Sequence, residues 1–212
     1  CDDPPPVDHE TGTSLYSHAR RPMQRAMRVS IHPTHPQKRL ISQVVETLRR
    51  GGVIAYPTDT VYGIGCDIFS KKSIDRLYQI KRMKKDHPVA FVCPDLGDIA
   101  RYAVVDDQAY RIMRRMLPGP YTFILNSTRE VPKILMMKRK TVGIRIPHNE
   151  IVLELVRELG NPIVSSSATW EGEQLNDPDD LVERYGKQLD AIIDGGWGGL
   201  DPSTVIDLTG PV

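Results

Sequence analysis

The spacing of apolar residues predicts alternating helices and strands along most of the chain. Apolar positions three and four residues apart mark one face of a helix, and short continuous apolar runs mark buried strands. Helices are predicted around 41–48, from Ser73, from Asp106 or Asp107, over 131–137, over 150–159 behind the cap Asn149, and near 179–185. Strands are predicted at 53–56, 89–93, 121–125, 141–146, 163–165, 191–193 and 204–208.

This alternation, with short connections, is typical of one α/β domain. Several neighbouring strands have hairpin-like connections, so we expect a twisted sheet with both parallel and antiparallel pairs. The polar, proline-rich start lacks an apolar period, which predicts a disordered tail over residues 1–30 and a domain over residues 31–212. Because the chain begins with Cys1 rather than Met, we expect a fragment or a processed product.

The composition excludes several classes of protein. No apolar run approaches the ~18–20 residues of a membrane span, so no membrane partner is expected. The three cysteines are too few for a disulfide framework and lack the C-x-x-C spacing of zinc or redox sites. The six histidines form no metal-binding motif, and no G-x-S-x-G elbow marks a serine hydrolase. We expect a reducing, cytoplasmic setting and no structural metal.

The formal net charge of +1 conceals a strong asymmetry along the chain. Residues 1–70 carry 8 basic and 7 acidic side chains, residues 71–145 carry 17 and 7, and residues 146–212 carry 3 and 13. The middle segment therefore has a charge of +10 and the last segment a charge of −10. This pattern fits an anionic ligand on the middle segment, and it also fits two oppositely charged surfaces that only keep the protein in solution.

Residues 56–65 form the densest cluster of polar groups in the sequence. A predicted strand runs into Thr58, Asp59, Thr60 and Tyr62, with two glycines after them. Hydroxyls and free backbone amides at a strand end are placed to hold a polar ligand at the edge of an α/β sheet. The same residues also suit an ordinary turn capped by its own side chains, so both interpretations stay open.

Basic side chains recur through the middle segment. Four of them, in the run 81–85, follow a predicted helix, where they suit either contacts to phosphates or a solvated helix end. Further along the chain, the other basic clusters are Arg111, Arg114 and Arg115, and then Lys138, Arg139 and Lys140.

Arg145 lies inside an apolar strand and alternates with Ile144 and Ile146, so its side chain points to the opposite face of the sheet. If that face is covered, the charge needs a partner. A carboxylate or phosphate ligand and a structural ion pair would each serve. A second strand end, at 163–165, leads into the hydroxyl-bearing run 165–169, which again suits the edge of a polar binding site.

Five motifs occur in one order: residues 57–63 (PTDTVYG), 117–122 (LPGPYT), 142–148 (VGIRIPH), 162–168 (PIVSSSA) and 203–208 (STVIDL). Together they closely resemble the YrdC-like family, and the likeness extends from about residue 36 to residue 208. The resemblance implies a single YrdC-like α/β domain whose twisted mixed sheet and flanking helices surround a basic cavity. It implies threonylcarbamoyl-AMP synthesis from L-threonine, bicarbonate and ATP with release of pyrophosphate, for a tRNA modification at adenosine. Binding to double-stranded RNA or tRNA is also implied.

The resemblance further implies roles for individual residues. Thr58, Thr60 and Tyr62 would line the pocket for threonine and nucleotide. The ATP phosphates or the threonine carboxylate would be held by Lys81, Arg145, Ser165 and Ser167. Thr169 would lie beside these residues in the nucleotide site. Mg²⁺ would bind the phosphates. The candidate contacts to RNA are Arg82, Lys84, Lys85, Arg114, Arg115, Lys138, Arg139 and Lys140.

Two positions depart from the pattern of the synthase branch. That branch carries Lys-x-Arg where this chain has Lys81-Arg82-Met83, and Ser-x-Asn where it has Ser167-Ala168-Thr169. A forked cation and an amide are thereby lost from the implied nucleotide site. Both changes resemble the YciO branch, so a double-stranded RNA- or tRNA-binding protein without synthase activity is the alternative. The chain also ends before a short terminal strand that the family usually adds, so we expect a truncated C-terminus.

Overall fold

The computed structural model describes residues 25–84, 87–136 and 140–210, and nine of its strands form one sheet. A separate two-stranded hairpin accounts for the other two strands in these ranges. In chain order the strands are β1 (Met27–Ser30), β2 (Val53–Tyr56), β3 (Gly63–Asp67), β4 (Ala90–Val92), β5 (Tyr121–Asn126), β6 (Thr141–Arg145), β7 (Ile163–Ser167), β8 (Thr169–Trp170), β9 (Glu173–Gln174), β10 (Ala191–Asp194) and β11 (Thr204–Asp207).

Six helices are present in the described ranges, and short polar side chains begin several of them. They are α1 (Lys38–Arg49), α2 (Lys71–Ile80), α3 (Leu96–Tyr102), α4 (Asp107–Met116), α5 (Glu150–Leu159) and α6 (Pro178–Tyr185). The carboxylate of Asp106 accepts a hydrogen bond from the Ala109 amide, and the Asn149 side chain accepts one from the Val152 amide. Both caps were predicted, because these residue types satisfy amides that the first helical turn leaves free. No helix in these ranges is both long enough and apolar enough to cross a bilayer.

The sheet mixes parallel and antiparallel pairs, which confirms the predicted fold class. Its strand order is β1-β10-β2-β3-β7-β4-β6-β5-β11. The parallel pairs are β1 with β10, β10 with β2, β4 with β6 and β5 with β11. The antiparallel pairs are β2 with β3, β3 with β7, β4 with β7 and β5 with β6.

Helices pack on both faces of the sheet and leave part of one face open. Helices α1 and α5 pack against each other and against one face, while α2, α3, α4 and α6 contribute buried side chains to the other. Because side chains alternate along a strand, Arg145 lies on the α1–α5 face, whereas Ile144 belongs to the opposite core. Arg145, Gly143 and Ser165 line an open cavity on that face and do not join the α1–α5 core.

The structure corrects the predicted start of the ordered domain. Residues 27–30, which were assigned to the disordered tail, form β1 and pair with β10 in parallel. Only Val29 in this short strand is buried, so the sequence pattern carries little signal. Residues 1–24 lie outside the described residues.

Four further elements differ from the sequence-based expectations. The strand β3, the helix α3 and the β8–β9 hairpin were not predicted. The glycines of β3 resemble a loop, but a Cβ at Gly65 would lie 2.6 Å from the Val164 carbonyl oxygen, so close strand packing requires glycine there. The helix predicted over 131–137 is only a 3₁₀ turn at Lys133–Leu135, and residue 137 lies outside the described residues.

The predicted start of α2 is also wrong. The helix begins after Ser70, and Ser73 is buried within its first turn, where its hydroxyl lies 2.6 Å from the Ser70 hydroxyl. The neighbouring serines hydrogen-bond to each other, so Ser73 does not serve as the cap.

The α1–α5 core predicts how one substitution changes stability. Leu155 of α5 is fully buried in that core, so Leu155→Ala should lower the free energy of unfolding by about 2–5 kcal/mol through lost burial and a residual cavity. Glu154→Ala on the exposed side of the same helix should change it by less than about 0.5 kcal/mol. Urea unfolding of both variants measures the difference, and similar losses for the two would contradict this packing.

Candidate functional site

A cavity of about 610 Å³ opens on the uncovered part of the sheet face. Small residues at its floor, Gly63, Ala90 and Gly143, leave the space that larger side chains would fill. Its volume falls in the ~300–1,000 Å³ range of small-molecule sites. The polar residues among those that line it are Tyr62, His87, Thr122, Thr141, Arg145, Ser165, Ser166, Ser167, Thr169 and Ser203.

Arg145 is a charged side chain that lines this cavity, and its partner is Asp59. The Nη2 atom of Arg145 lies 3.0 Å from Asp59 Oδ1 and 3.0 Å from Thr60 Oγ1, and both charged side chains are only 10% exposed. The second carboxylate oxygen of Asp59 accepts the amide of His148 at 2.9 Å. Burial lowers the pKa of Arg145, and the adjacent carboxylate opposes that shift.

One donor of Arg145 has no partner within the described protein. Its Nε atom is buried and makes no hydrogen bond. An unpaired buried donor is costly, so a hydrogen-bond acceptor beside this N–H would be stabilising. The ion pair predicted as one alternative is therefore present, and it leaves the Nε atom without a partner.

The structure places Thr58 and Thr60 behind Arg145, outside the lining of the cavity. Thr58 Oγ1 donates to the Val61 carbonyl at 2.7 Å and accepts the Thr60 amide at 3.0 Å. Thr60 in turn accepts from Arg145. These two residues therefore build the turn that positions Asp59 and Arg145, as the turn interpretation of the motif predicted.

Tyr62 lines the cavity with its ring, while its hydroxyl is engaged elsewhere. The hydroxyl donates to the Gly196 carbonyl at 2.7 Å and accepts the Gly195 amide at 3.2 Å. Burial raises the pKa of Tyr62 to about 12, so the phenol stays protonated at neutral pH. Tyr62 thus connects the cavity wall to the loop that follows β10.

Ser165 is oriented by a tyrosine that sequence reasoning did not select. Tyr56 is fully buried, its hydroxyl donates to Ser165 Oγ at 2.5 Å, and burial raises its pKa. With that lone pair occupied, the Ser165 hydroxyl hydrogen is free to point into the cavity. A Cβ at Gly63 would lie 2.9 Å from the Tyr56 ring and 3.0 Å from Ser165 Oγ, so this arrangement requires glycine. The position of Tyr56, directly before the polar motif, was the available signal.

Lys81 lies in a groove that continues from the cavity. The groove is lined by Lys81, Arg82, Met83, Lys84, His87, Pro88, Ser166 and Thr169, and the last four line the cavity as well. The Lys81 ammonium donates to the Thr169 carbonyl at 2.9 Å and to Thr169 Oγ1 at 2.7 Å. Burial lowers the pKa of Lys81 to about 8.

The predicted RNA contacts do not form one cluster. Arg82, Lys84 and Lys140 are exposed, and the first two line the groove. Arg114 and Arg115 are exposed on α4, and neither lines the cavity or the groove. Lys85, Lys138 and Arg139 lie outside the described residues.

The described residues contain no group of three or more His, Cys, Asp or Glu side chains arranged to hold a metal ion. The polar side chains that line the cavity are hydroxyls, one imidazole and one guanidinium, a set suited to anionic oxygens.

A family model described as "Telomere recombination", the Sua5/YciO/YrdC model, matches residues 46–212. The chain belongs to this family. The resemblance stated from the sequence motifs is thereby confirmed.

Relatives within the family fall into two groups. The uncharacterized protein YciO of Escherichia coli K12 is 46% identical over 182 residues, which is 84% of this chain and 88% of that protein. Its crystal structure superposes with a TM-score of 0.84 over 87% of this chain and 91% of that one, at 44% identity. A threonylcarbamoyl-AMP synthase of Vibrio vulnificus is 29% identical over 162 residues, 74% of this chain and 87% of that one.

A Sua5 crystal structure from P. abyssi in complex with L-threonine superposes with a TM-score of 0.81, at 27% identity. The match covers 86% of this chain and 54% of that one. The chain is thus related to threonylcarbamoyl-AMP synthases, and it is more similar in sequence to YciO than to these synthases.

The Arg145–Asp59 pair predicts a large effect of neutralising one partner. Asp59→Asn removes the charge that compensates Arg145 and leaves one oxygen for two donors, Arg145 Nη2 and the His148 amide, so it should lower the free energy of unfolding by about 3 kcal/mol. The matched control Asp201→Asn changes an exposed carboxylate and should cost less than about 0.5 kcal/mol. Urea unfolding at neutral pH measures both, and an equally small cost for Asp59→Asn would show that the pair is not structural.

Proposed function

We propose that this protein is a nucleotide-binding enzyme of the threonylcarbamoyl-AMP synthase type. It would convert L-threonine, bicarbonate and ATP into threonylcarbamoyl-AMP, pyrophosphate and water, for the modification of tRNA. The observation that carries the proposal is that Arg145 lines a cavity rich in hydroxyls while its buried Nε atom has no hydrogen-bond partner. A carboxylate or phosphate oxygen is the acceptor that a guanidinium edge binds most strongly.

The proposed reaction needs positioning and charge neutralisation more than a protein nucleophile. In the adenylation step a carboxylate oxygen of the carbamate formed from threonine attacks the α-phosphorus of ATP, and the bond to pyrophosphate breaks. Arg145 and Lys81 would each stabilise negative charge on an oxygen of the reactants, and the Ser165 hydroxyl would donate to a third. Mg²⁺, held by phosphate oxygens, would neutralise the charge on the triphosphate.

Two relatives support this assignment. The Vibrio vulnificus relative is named for the synthase activity, and the P. abyssi relative has L-threonine bound. The cavity here also has the size expected for small-molecule substrates. Met83 and Thr169 depart from the synthase pattern, and both contact groups of the candidate site, Ser166 and Lys81 respectively.

Pyrophosphate release tests the proposed activity. The wild-type protein should release pyrophosphate from Mg·ATP only when L-threonine and bicarbonate are both present. Arg145→Met should lower the rate by at least ~100-fold, because one charge-assisted contact in the transition state is lost. Arg157→Met, an exposed arginine on α5, should leave the rate unchanged. No threonine-dependent pyrophosphate at high concentrations of folded wild-type protein would refute the synthase proposal.

A second candidate function, RNA binding without synthesis, is favoured by the exposed cations of the groove and by Met83. Lys84 and Arg82 are exposed beside the cavity, where they could contact phosphates that stay outside it. Met83 occupies the position where the synthase pattern has an arginine, so the groove has one cation fewer than that pattern provides. This difference favours a function without synthesis.

Salt dependence tests the second function. The affinity for a duplex RNA or tRNA, measured by fluorescence anisotropy, should fall steeply between about 50 and 200 mM salt. Lys84→Ala should weaken binding and reduce the slope of log affinity against log salt by about one. Lys38→Ala, on α1 away from the groove, is the control and should change neither. No detectable affinity would refute RNA binding, and affinity that does not vary with salt would refute binding through phosphate contacts.

A further inference from the structure

Thr169 occupies a junction between the cavity and the groove. It lines both spaces and is the first residue of the β8–β9 hairpin. Tight-turn residues at the tip of this hairpin, Glu171 and Gly172, have φ values of 50° and 91°. The chain therefore reverses direction in a tight turn, and the hairpin holds Thr169 close to the C-terminal end of α2. Lys81 is the residue that follows the last residue of this helix.

Thr169 takes up two of the three hydrogen-bond donors of Lys81. The carbonyl oxygen lies 2.9 Å from Nζ and Oγ1 lies 2.7 Å from it. An ammonium group has three N–H bonds, so one remains for another acceptor. The family resemblance implies that Thr169 lies in the nucleotide site, and in the structure its two acceptors bind Lys81.

The Thr169 carbonyl is itself held from the opposite side by α6. The Tyr185 hydroxyl donates to this carbonyl at 2.6 Å, and the Tyr185 ring lies below the ammonium, 5.8 Å from Nζ to the ring centroid. Trp170 packs edge-on against Tyr185 with a centroid distance of 5.3 Å. Because Tyr185 is buried, its hydroxyl holds the Thr169 carbonyl, which accepts from Lys81, in a fixed position.

We propose that Thr169 is a positioning residue, which holds the Lys81 ammonium at the junction of cavity and groove with one N–H left for an oxygen of an anionic ligand. This inference rests on the proposed function only in that an anion enters the cavity. In this proposal Thr169 positions Lys81, and it does not itself contact the ligand.

The arrangement makes anion binding depend on pH. Burial lowers the pKa of Lys81 to about 8, and the charged or titratable groups that share its surroundings are Arg82, Lys84 and His87 in the groove and Tyr185 from α6. Lys81 is charged below this pH and neutral above it, so affinity for an anion should fall as pH rises through about 8. The two acceptors of Thr169 favour the charged form, and removal of one should lower the pKa of Lys81 further.

Binding of Mg·ATP, measured by calorimetry from pH 6.5 to 9.5, tests the consequence for a ligand. The wild-type affinity should fall by about tenfold across this range, through a midpoint near 8. Lys81→Arg should abolish that pH dependence, because a guanidinium stays charged. Thr169→Val should weaken binding at pH 7 by about three- to tenfold and move the midpoint to lower pH. Thr169→Ser keeps the hydroxyl and should restore the wild-type profile.

The ionisation of Lys81 can be measured without ligand, which tests the role of Thr169 independently of the proposed function. Trace acetylation of Lys81 by acetic anhydride, followed by mass spectrometry against pH, gives the midpoint for ionisation of its amine. The midpoint should lie near 8 in the wild-type protein and lower in Thr169→Val. It should be unchanged in Thr47→Val, which removes a hydroxyl bonded to the backbone of α1.

Equal midpoints in the wild type and in Thr169→Val, with Thr169→Ser also unchanged, would overturn the positioning role whether or not pyrophosphate is released. A shifted midpoint with no pyrophosphate would uphold the role and refute the synthase. Mg·ATP affinity that is independent of pH in the wild type would show that Lys81 does not contact the anion, and would also overturn the proposal.

Discussion

The ion pair between Arg145 and Asp59 is the interaction on which the rest of the candidate site depends. It joins the end of β6 to the turn after β2, and Thr60 and the His148 amide complete its hydrogen bonds. The carboxylate offsets the cost of placing a guanidinium in a largely buried position. It does so at one edge only, since the buried Nε atom has no hydrogen-bond partner. We therefore propose that stability and anion binding depend on different edges of one side chain.

Only some of the basic side chains that cause the charge asymmetry of the sequence lie at the cavity and the groove. Of the +10 segment, Arg145 lies in the cavity and Lys81, Arg82 and Lys84 line the adjoining groove. The arginines of α4 lie on a separate surface. A net charge summed over a segment counts all these groups equally, whereas the fold brings only some of them to a ligand. Local geometry, more than segment charge, decides which cations are available to an anion.

Long apolar periods and helix caps were sufficient to predict most helices, and Asn149 and Asp106 serve as expected. The short strand β1 and the glycine-bearing β3 were missed, because their stability comes from pairing with residues far away in sequence. The same limit applies to the site. Its motifs could be found, but the Tyr56–Ser165 contact and the Lys81–Thr169 contact join residues 109 and 88 positions apart. No local pattern specifies such pairs.

We propose that the unpartnered Nε–H of Arg145 donates to an oxygen of an anionic ligand. NMR observation of this N–H, assigned by its loss in Arg145→Met, tests the claim directly. On addition of Mg·ATP, L-threonine and bicarbonate, its resonance should shift and its hydrogen should exchange more slowly with water. An unchanged resonance, under conditions where calorimetry shows that Mg·ATP or L-threonine binds, would contradict the claim.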